Sequence, residues 1–325
     1  MARHPWVAKA DDGLRWGVQL CAERRRYTAL NRVVYENPRE ALLGTGQLVE
    51  QLGFDGLFLY DHPSQAPDNW IWLSGLATVT ERVWLGSVVN CVYHRHPVYL
   101  ARMAADLDLL SQGRLMLGLG VGYLKREFNA LGAEFMSDGD RLRGLEEYIA
   151  IVRGVWGDEP FSFDGRYYSI DRVRATPAPL QQLPPLMIGG SGEKVALRNV
   201  AKYADACNLN AQDIPELRRK LDALQRHCDD LGRPYDEVLK TDFTGWLILA
   251  PTEAEAKAKI DAMYPEGVPD TLAYLGILSG TPEQIAAHYQ ARRDAGIEYF
   301  VVQVVDGMDR ETVTLLANEV VPQVS

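Results

Sequence analysis

Residues 97–119, PVYLARMAADLDLLSQGRLMLGL, decide the fold class because they hold a complete helix followed by a complete strand. Pro97 is a favourable first residue of a helix, because a first-turn N–H has no partner inside the helix in any case. Apolar residues recur at intervals of three and four over Leu100–Leu110, which predicts one buried helical face, and Gly113 ends the helix. The next stretch, Leu115–Leu119, is almost wholly apolar, as in a parallel strand covered on both faces.

The same alternation of apolar strands and amphipathic helices continues along the whole chain of 325 residues. The predicted strands are Trp16–Leu20, Gly56–Tyr60, Val83–Val89, Leu115–Leu119, Leu186–Gly189, Ala206–Leu209, Trp246–Leu249 and Tyr299–Gln303. Such strands alternating with helices predict an α/β protein built as a single (β/α)8 barrel of the TIM type. An open, doubly wound sheet is the alternative, because counting strands does not establish closure. No linker divides the sequence, so we assign one domain, residues 1–325.

Two segments depart from this alternation and predict insertions in the loops of the barrel. Phe161–Ser169 carries Asp164-Gly165 at its centre, a turn dipeptide typical of a β-hairpin. Pro265–Gly280 is long and irregular, and insertions of that kind often serve as lids over a site.

Composition and charge exclude several classes of protein. Hydrophobic residues make up 47% and charged residues 24%, which excludes a disordered or fibrous chain. The 34 basic and 44 acidic residues give a net charge of −10, which argues against a nucleic-acid partner. Met1–Trp6 lacks the apolar core of a signal peptide and no apolar run is long enough to cross a bilayer, so we expect a cytoplasmic protein without a membrane partner. The cysteines, Cys21, Cys91, Cys207 and Cys228, are scattered, which favours reduced thiols over a zinc site or disulfides.

Candidate catalytic residues follow the strands, because the active residues of such barrels lie at the C-terminal ends of the strands. Asp61-His62 ends the second strand, and a histidine can exchange a proton near neutral pH. Neighbouring residues of an extended chain point to opposite faces, so the two side chains need not act together. A structural histidine is the alternative. His94 and His96 follow the third strand and are expected to be surface or packing residues, with contact to substrate as the alternative.

Two glycine-rich stretches predict where a ligand lies. Gly189-Gly190-Ser191-Gly192 joins the fifth strand to a helix predicted to begin near Glu193, and free N–H groups at a helix N-terminus suit a phosphate. A plain turn without a ligand is the alternative. Gly118–Gly122 has the wrong spacing for a dinucleotide-binding motif, and we expect its glycines to clear room for a flat ring. Glu23–Tyr27 is either a solvated loop or a clamp for an anionic ligand tail. Trp70 and Trp72 belong either to a pocket wall or to the core.

Several stretches together resemble the luciferase-like monooxygenase superfamily. They are Gly53–Gly56, Asp61-His62, Glu81–Gly86, Arg95–Pro97, Leu107–Leu115, Leu117–Gly122, Gly189–Gly192 and Tyr203–Ala206. The resemblance covers nearly the whole chain in order, and it is greatest to the branch of oxidoreductases that use the deazaflavin coenzyme F420.

This resemblance implies a TIM-type barrel, often dimeric, so we expect a homodimer. It implies a cofactor ring at the C-terminal face, beside a non-prolyl cis peptide within Val88-Val89-Asn90, with the cofactor phosphate held after the fifth strand. The cofactor-binding residues predicted in this way are Asp61, Val88, Val89, Asn90, Gly122, Tyr123, Gly189, Gly190, Ser191, Gly192 and Asn208. The matching histidine of some F420-dependent alcohol dehydrogenases is the base, which assigns catalysis to His62 with Tyr123 as a partner. Tyr123 stands where the sugar-phosphate dehydrogenase branch has an acidic residue, so that substrate is not predicted.

Three functions remain open on the sequence. The first is an F420-dependent oxidoreductase that moves a hydride between C5 of the deazaflavin and a small organic substrate, with His62 as proton donor or acceptor. The second is an FMN-dependent monooxygenase supplied with reduced flavin by a partner reductase. The third is a non-catalytic flavin-binding protein. The basic loop favours F420, because the tail of that cofactor is polyanionic. No metal site is predicted, and no motif names the substrate.

Overall fold

Parallel strands close into a barrel in the computed structural model, which describes residues 4–8, 13–22, 37–63, 66–265, 267–268 and 276–324. In chain order the strands are β1 Arg15–Gln19, β2 Gly56–Leu59, β3 Trp84–Ser87, β4 Asn90–Cys91, β5 Leu115–Gly120, β6 Phe161–Asp164, β7 Ser169–Val173, β8 Leu186–Gly189, β9 Ala206–Leu209, β10 Leu239–Leu249, β11 Ile277–Gly280 and β12 Tyr299–Val304. The barrel follows the order β1-β2-β3-β5-β8-β9-β10-β12 and closes where β12 pairs with β1. The predicted (β/α)8 barrel is therefore confirmed, and the open sheet is excluded.

Helices surround the barrel and connect its strands. They are α1 Pro5–Ala8, α2 Thr45–Gln51, α3 Asn69–Val79, α4 Pro97–Leu110, α5 Lys125–Leu131, α6 Asp138–Val155, α7 Ala196–Tyr203, α8 Ile214–Leu231, α9 Glu253–Met263, α10 Pro282–Asp294 and α11 Arg310–Leu315. A π-helical turn, Glu40–Gly44, precedes α2, and another, Leu316–Val320, follows α11. No helix in the described part of the chain is both long and apolar enough to cross a membrane.

Helix α4 forms where its sequence pattern predicts, with one correction. Pro97 is its first residue, and the His96 ring accepts the Val98 N–H at 3.3 Å. Leu100 and Leu107 are buried against the barrel, but Leu110 is 46% exposed. Leu110 is the last residue of the helix, and its side chain extends past the buried face that the pattern predicts for it.

Several predicted elements differ from the structure by one or two residues at their ends, and others differ by more. The helix after the fifth predicted strand begins at Ala196 rather than near Glu193, because residues 193–195 form a turn. The seventh strand begins at Leu239, and its polar first half was missed because those side chains look solvent-facing. Of Pro265–Gly280, the last four residues are strand β11, which pairs with the end of β10, so this part is regular. Residues 266 and 269–275 lie outside the described residues, and the lid remains a prediction.

The N-terminal end of the barrel is filled by aromatic side chains. Trp6 from α1 is fully buried and packs on Tyr299, with ring centroids 5.7 Å apart. Phe58 lies beside Tyr299 at 6.3 Å. A Cβ on Gly17 would lie 2.5 Å from the Tyr299 hydroxyl, so only glycine leaves room for this packing. The cavity of the barrel opens at the other, C-terminal end.

Glycines near that open end make room for the side chain of Val89. A Cβ on Gly120 would lie 2.5 Å from Val89 Cγ2, and one on Gly189 would lie 2.8 Å from the same atom. The peptide bond between Val88 and Val89 is cis, as the family resemblance implies. Gly120, one of the glycines expected to clear room for a ring, accommodates Val89, and both residues line the open space.

We expect Gly120→Ala to destabilise the protein by about 1–3 kcal/mol, since the added methyl group overlaps Val89 in a well-packed barrel. Urea denaturation of both proteins measures the change in the free energy of unfolding. Gly139→Ala is the matched control, because its Cβ meets the Arg143 side chain at an ordinary 3.5 Å. Equal stability of the Gly120→Ala variant and the wild-type protein would contradict the account of Val89.

Candidate active site

A cavity of about 360 Å³ opens at the C-terminal end of the barrel, and each of the eight barrel strands or the loop after it contributes to its wall. Of the residues predicted to bind cofactor or act in catalysis, all except Asn90 and Gly192 line it. Asn90 is buried, where its amide donates to the Gly118 carbonyl at 2.9 Å. The Gly192 carbonyl accepts the N–H of Leu197 at 3.1 Å, at the start of α7. The structure thus brings together residues that are far apart in the sequence.

The ring of His62 is held by a carboxylate that the sequence analysis missed. His62 Nδ1 lies 2.9 Å from Glu127 Oε2, and the Glu127 side chain is only 3% exposed. Glu127 belongs to α5, in which Lys125 and Arg126 are exposed, so its sequence surroundings resemble a solvated helix. Only the folding of α5 back over the cavity brings this carboxylate to His62.

This contact determines how the imidazole can act. A carboxylate at Nδ1 accepts the proton on that nitrogen, which leaves Nε2 available to exchange a proton. The ring remains 25% exposed, so its proton can equilibrate with water. Tyr123 lies edge-on to the ring, with centroids 5.8 Å apart, and Tyr60 lies at 5.7 Å. The arrangement suits a general acid or base at the cavity wall.

Asp61 has partners different from those of its neighbour His62. Both of its oxygens accept from Arg95 Nη1, at 2.9 and 2.7 Å, and Oδ2 also accepts the Cys91 N–H at 3.2 Å. Burial alone would raise the pKa of Asp61, but the neighbouring His94 ring and the charge of Arg95 outweigh it and lower the pKa. Asp61 therefore binds Arg95 and the Cys91 N–H in the loop after β3, whereas His62 is held by Glu127.

Gln19, at the end of β1, is a second cavity residue that the sequence analysis did not select. Its Nε2 donates to the carbonyl of Val88 at 2.7 Å. Its Oε1 is buried and accepts no hydrogen bond from the residues that the structure describes. A buried acceptor without a partner is costly, so this oxygen is suited to an N–H of a bound molecule.

The glycine-rich turn after β8 lies at the opposite part of the wall. Gly190 has φ of 121°, a conformation that favours glycine, and both Gly190 and Ser191 line the cavity. No side-chain or backbone atom lies within 3.7 Å of a Cβ built on Gly190, so the turn has room beside it. Asn208 also lines the cavity, and its Oδ1 accepts the Thr241 hydroxyl at 3.2 Å.

The other residues singled out in the sequence fall in different places. His94 lines the cavity, whereas His96 caps α4. Trp70 and Trp72 belong to the core between barrel and helices. The basic loop Glu23–Tyr27 lies outside the described residues. The cysteines are buried and none is bonded to another. The described residues hold no cluster of three or more metal-binding side chains.

Comparison with known proteins places these features in a family context. The family model for luciferase-like monooxygenases matches residues 24–273. The F420-dependent glucose-6-phosphate dehydrogenase of Microbacterium testaceum is 34% identical over 207 residues, which cover 61% of this chain and 61% of that protein. The enzyme of the same name from Kineococcus radiotolerans is 26% identical over 309 residues, covering 84% and 89%. An F420-dependent secondary alcohol dehydrogenase in complex with an F420–acetone adduct superposes with a TM-score of 0.80 at 19% identity, covering 96% of this chain and 99% of that chain.

Proposed function

Since the chain belongs to the luciferase-like monooxygenase family, we propose that it is a coenzyme F420-dependent oxidoreductase acting on a small organic substrate. The observation that carries the proposal is the His62–Glu127 pair in the wall of the cavity, because it supplies an oriented proton donor or acceptor where a redox ring would bind. The two F420-dependent relatives support the choice of cofactor.

The cavity residues fit a flat ring with a phosphorylated tail. The cavity volume falls within the range of about 300–1,000 Å³ typical of small-molecule sites. Gln19 Oε1 is a buried acceptor without a partner among the described residues. Flavin and deazaflavin rings carry an N–H that could donate to it. The backbone of Gly190 and Ser191 precedes α7, where it would hold a phosphate group. When bound, F420 supplies hydride transfer at C5 of its deazaflavin ring.

The role of the protein is to orient its ligands and to move a proton. Oxidising an organic substrate removes a hydride, which carries both electrons, together with a proton, and reduction adds both. We assign the proton to Nε2 of His62, while Glu127 fixes the ring through Nδ1. Because the His62 ring is partly exposed, it can exchange this proton with water after each turnover. Tyr123, beside the ring, is a second group that contacts the substrate.

The substrate is not transferred from the relatives. The sugar-phosphate branch of the superfamily resembled by the sequence has an acidic residue where this chain has Tyr123. We therefore propose a substrate other than a sugar phosphate. We also propose a single domain and a homodimer, which sedimentation of the purified protein tests.

Separate titrations of the purified protein with F420 and FMN, followed by fluorescence quenching, test the cofactor. We expect F420 to bind with a Kd on the order of micromolar and FMN not to bind. The reverse result selects an FMN-dependent monooxygenase with a partner reductase. Binding of both without turnover of a panel of alcohols, aldehydes and ketones selects a non-catalytic flavin-binding protein.

Gly190→Ala provides a site-directed version of the same experiment. The substitution strains a positive-φ turn that lines the cavity, so we expect weaker F420 binding. Gly232→Ala is the matched control, because Gly232 also has positive φ, at 65°, but ends α8 outside the cavity wall. Equal loss of binding in the two variants would argue against a phosphate site at the turn.

A further inference from the structure

His94 differs from the other histidines of the protein in its hydrogen bonding. All six histidines lie in the described part of the chain. The other five each make at least one hydrogen bond, and their partners are the Trp6 N–H for His4, Glu127 for His62, the Val98 N–H for His96, the Glu193 carbonyl for His227 and Arg292 for His288. Neither ring nitrogen of His94 makes a hydrogen bond within the described part of the chain, although both are buried. A buried imidazole with unused hydrogen-bonding capacity requires an explanation.

The position of His94 supplies that explanation. Its side chain is 5% exposed and lines the same cavity as His62 and Gln19. Residues that pack the core without polar partners are normally apolar, because an unpaired polar group costs stability. A polar ring at this point of the cavity wall is suited to form a hydrogen bond with a polar group of a bound molecule.

The charged and titratable residues around His94 determine whether its ring donates a hydrogen bond to a bound molecule or accepts one from it. Asp61, which follows β2, places Oδ2 at 3.5 Å from His94 Nδ1, outside hydrogen-bond geometry but within ion-pair distance. Cys91 from β4 and the neighbouring Arg95 are the other titratable groups, while α5 presents the ring of Phe128 at 5.9 Å. Burial lowers the pKa of His94, but Asp61 and Cys91 outweigh burial and raise it to about 10. With the Asp61 carboxylate 3.5 Å from Nδ1, we expect the ring to keep its proton at neutral pH and to present N–H donors.

We propose that His94 is a second ligand-binding residue of the cavity, an imidazolium that donates a hydrogen bond to an acceptor oxygen of the bound molecule. The acceptor is a carbonyl or ionised oxygen of either the cofactor ring or the organic substrate. This role rests on the proposed function only in taking the cavity as the binding site. It is separate from the role of His62, whose partner is Glu127 rather than Asp61.

Two substitutions test the donor. His94→Leu removes it, and His94→Gln keeps a neutral N–H donor. A charged hydrogen bond contributes enough that we expect His94→Leu to weaken binding about 10- to 100-fold, with His94→Gln between that variant and the wild-type protein. His96→Gln is the control, because His96 is exposed and lies outside the cavity wall, and we expect it to bind like wild type. Thermal unfolding of each variant verifies that the fold is retained.

The measurements distinguish the two sources of the acceptor oxygen. A raised Kd for F420 or FMN in fluorescence quenching assigns the oxygen to the cofactor. An unchanged Kd, with a raised KM and unchanged kcat for a substrate from the panel, assigns it to the substrate. If the Kd and KM are both unchanged, or if the Kd is unchanged and no substrate turns over, the proposal is overturned.

A spectroscopic test is independent of turnover. With 15N-labelled histidine, we expect the full-length protein without cofactor to show an imidazolium signal at pH 7 that disappears in His94→Gln. A neutral His94 in that spectrum overturns the proposal. Failure of the wild-type protein to bind either F420 or FMN overturns the proposed function instead, so the two failures are distinguishable.

Discussion

His62→Gln is expected to lower kcat by about 100-fold to 10,000-fold while leaving the Kd for F420 within about twofold of the wild-type value. The reason is that a positioned acid or base contributes to the transition state for proton transfer, whereas the predicted cofactor contacts lie mainly on other strands. Stopped-flow measurement of turnover, together with fluorescence quenching for binding, checks both halves of the expectation.

Glu127→Gln tests the same assignment from the other side of the hydrogen bond. The amide retains an acceptor 2.9 Å from His62 Nδ1 but also brings a donor, so the ring is no longer held in one tautomer. We expect kcat to fall less than in His62→Gln and the pH dependence of kcat to change. His96→Gln again serves as the exposed control. Unchanged turnover in His62→Gln would remove His62 from the mechanism.

Arg292→Met is expected to lower the free energy of unfolding by about 3–5 kcal/mol, because it leaves the Asp242 carboxylate buried without its cation. Arg292 Nη1 lies 2.6 Å from Asp242 Oδ2, and their side chains are 6% and 0% exposed. Nη2 also donates to the Ala211 carbonyl at 2.9 Å. Urea denaturation at constant pH measures the loss.

The double variant Arg292→Met with Asp242→Leu is the matched comparison. It removes both charges, so we expect it to recover much of the stability that the single variant loses. A double variant no more stable than Arg292→Met would show that the isolated carboxylate is not the cause.

The same ion pair predicts a pH dependence with a defined sign. Burial raises the pKa of Asp242 to about 6 in spite of Arg292. A folded-state pKa above that of the unfolded chain means that the folded protein binds the extra proton, so this group's contribution to stability falls as the pH rises from about 4 to 6. Removing Arg292 raises the pKa of Asp242 further, so the deficit of Arg292→Met is expected to be larger at pH 8 than at pH 5.

The sequence predicts the barrel well because apolar strands buried on both faces leave a strong pattern. The prediction from sequence fails at the first half of β10, because two of its side chains are charged yet buried. Lys240 and Asp242 form ion pairs with Glu298 and Arg292, which lie far away in the sequence. The candidate site divides in the same way. His62 can be predicted as a site residue because it stands at the end of a strand. Glu127 and His94 cannot be assigned in this way, because their roles depend on His62 and Asp61, which lie far from them in the sequence.

The aromatic plug formed by Trp6, Phe58 and Tyr299 also constrains the order of events during turnover. Because described residues fill the N-terminal end of the barrel, we expect the cofactor and substrate of the proposed reaction to enter through the C-terminal end. A molecule seated deep in the cavity must arrive before, and depart after, one seated nearer the rim. If the proposed function holds, we expect an ordered kinetic scheme, in which the ligand nearer the rim controls how long the deeper ligand stays bound.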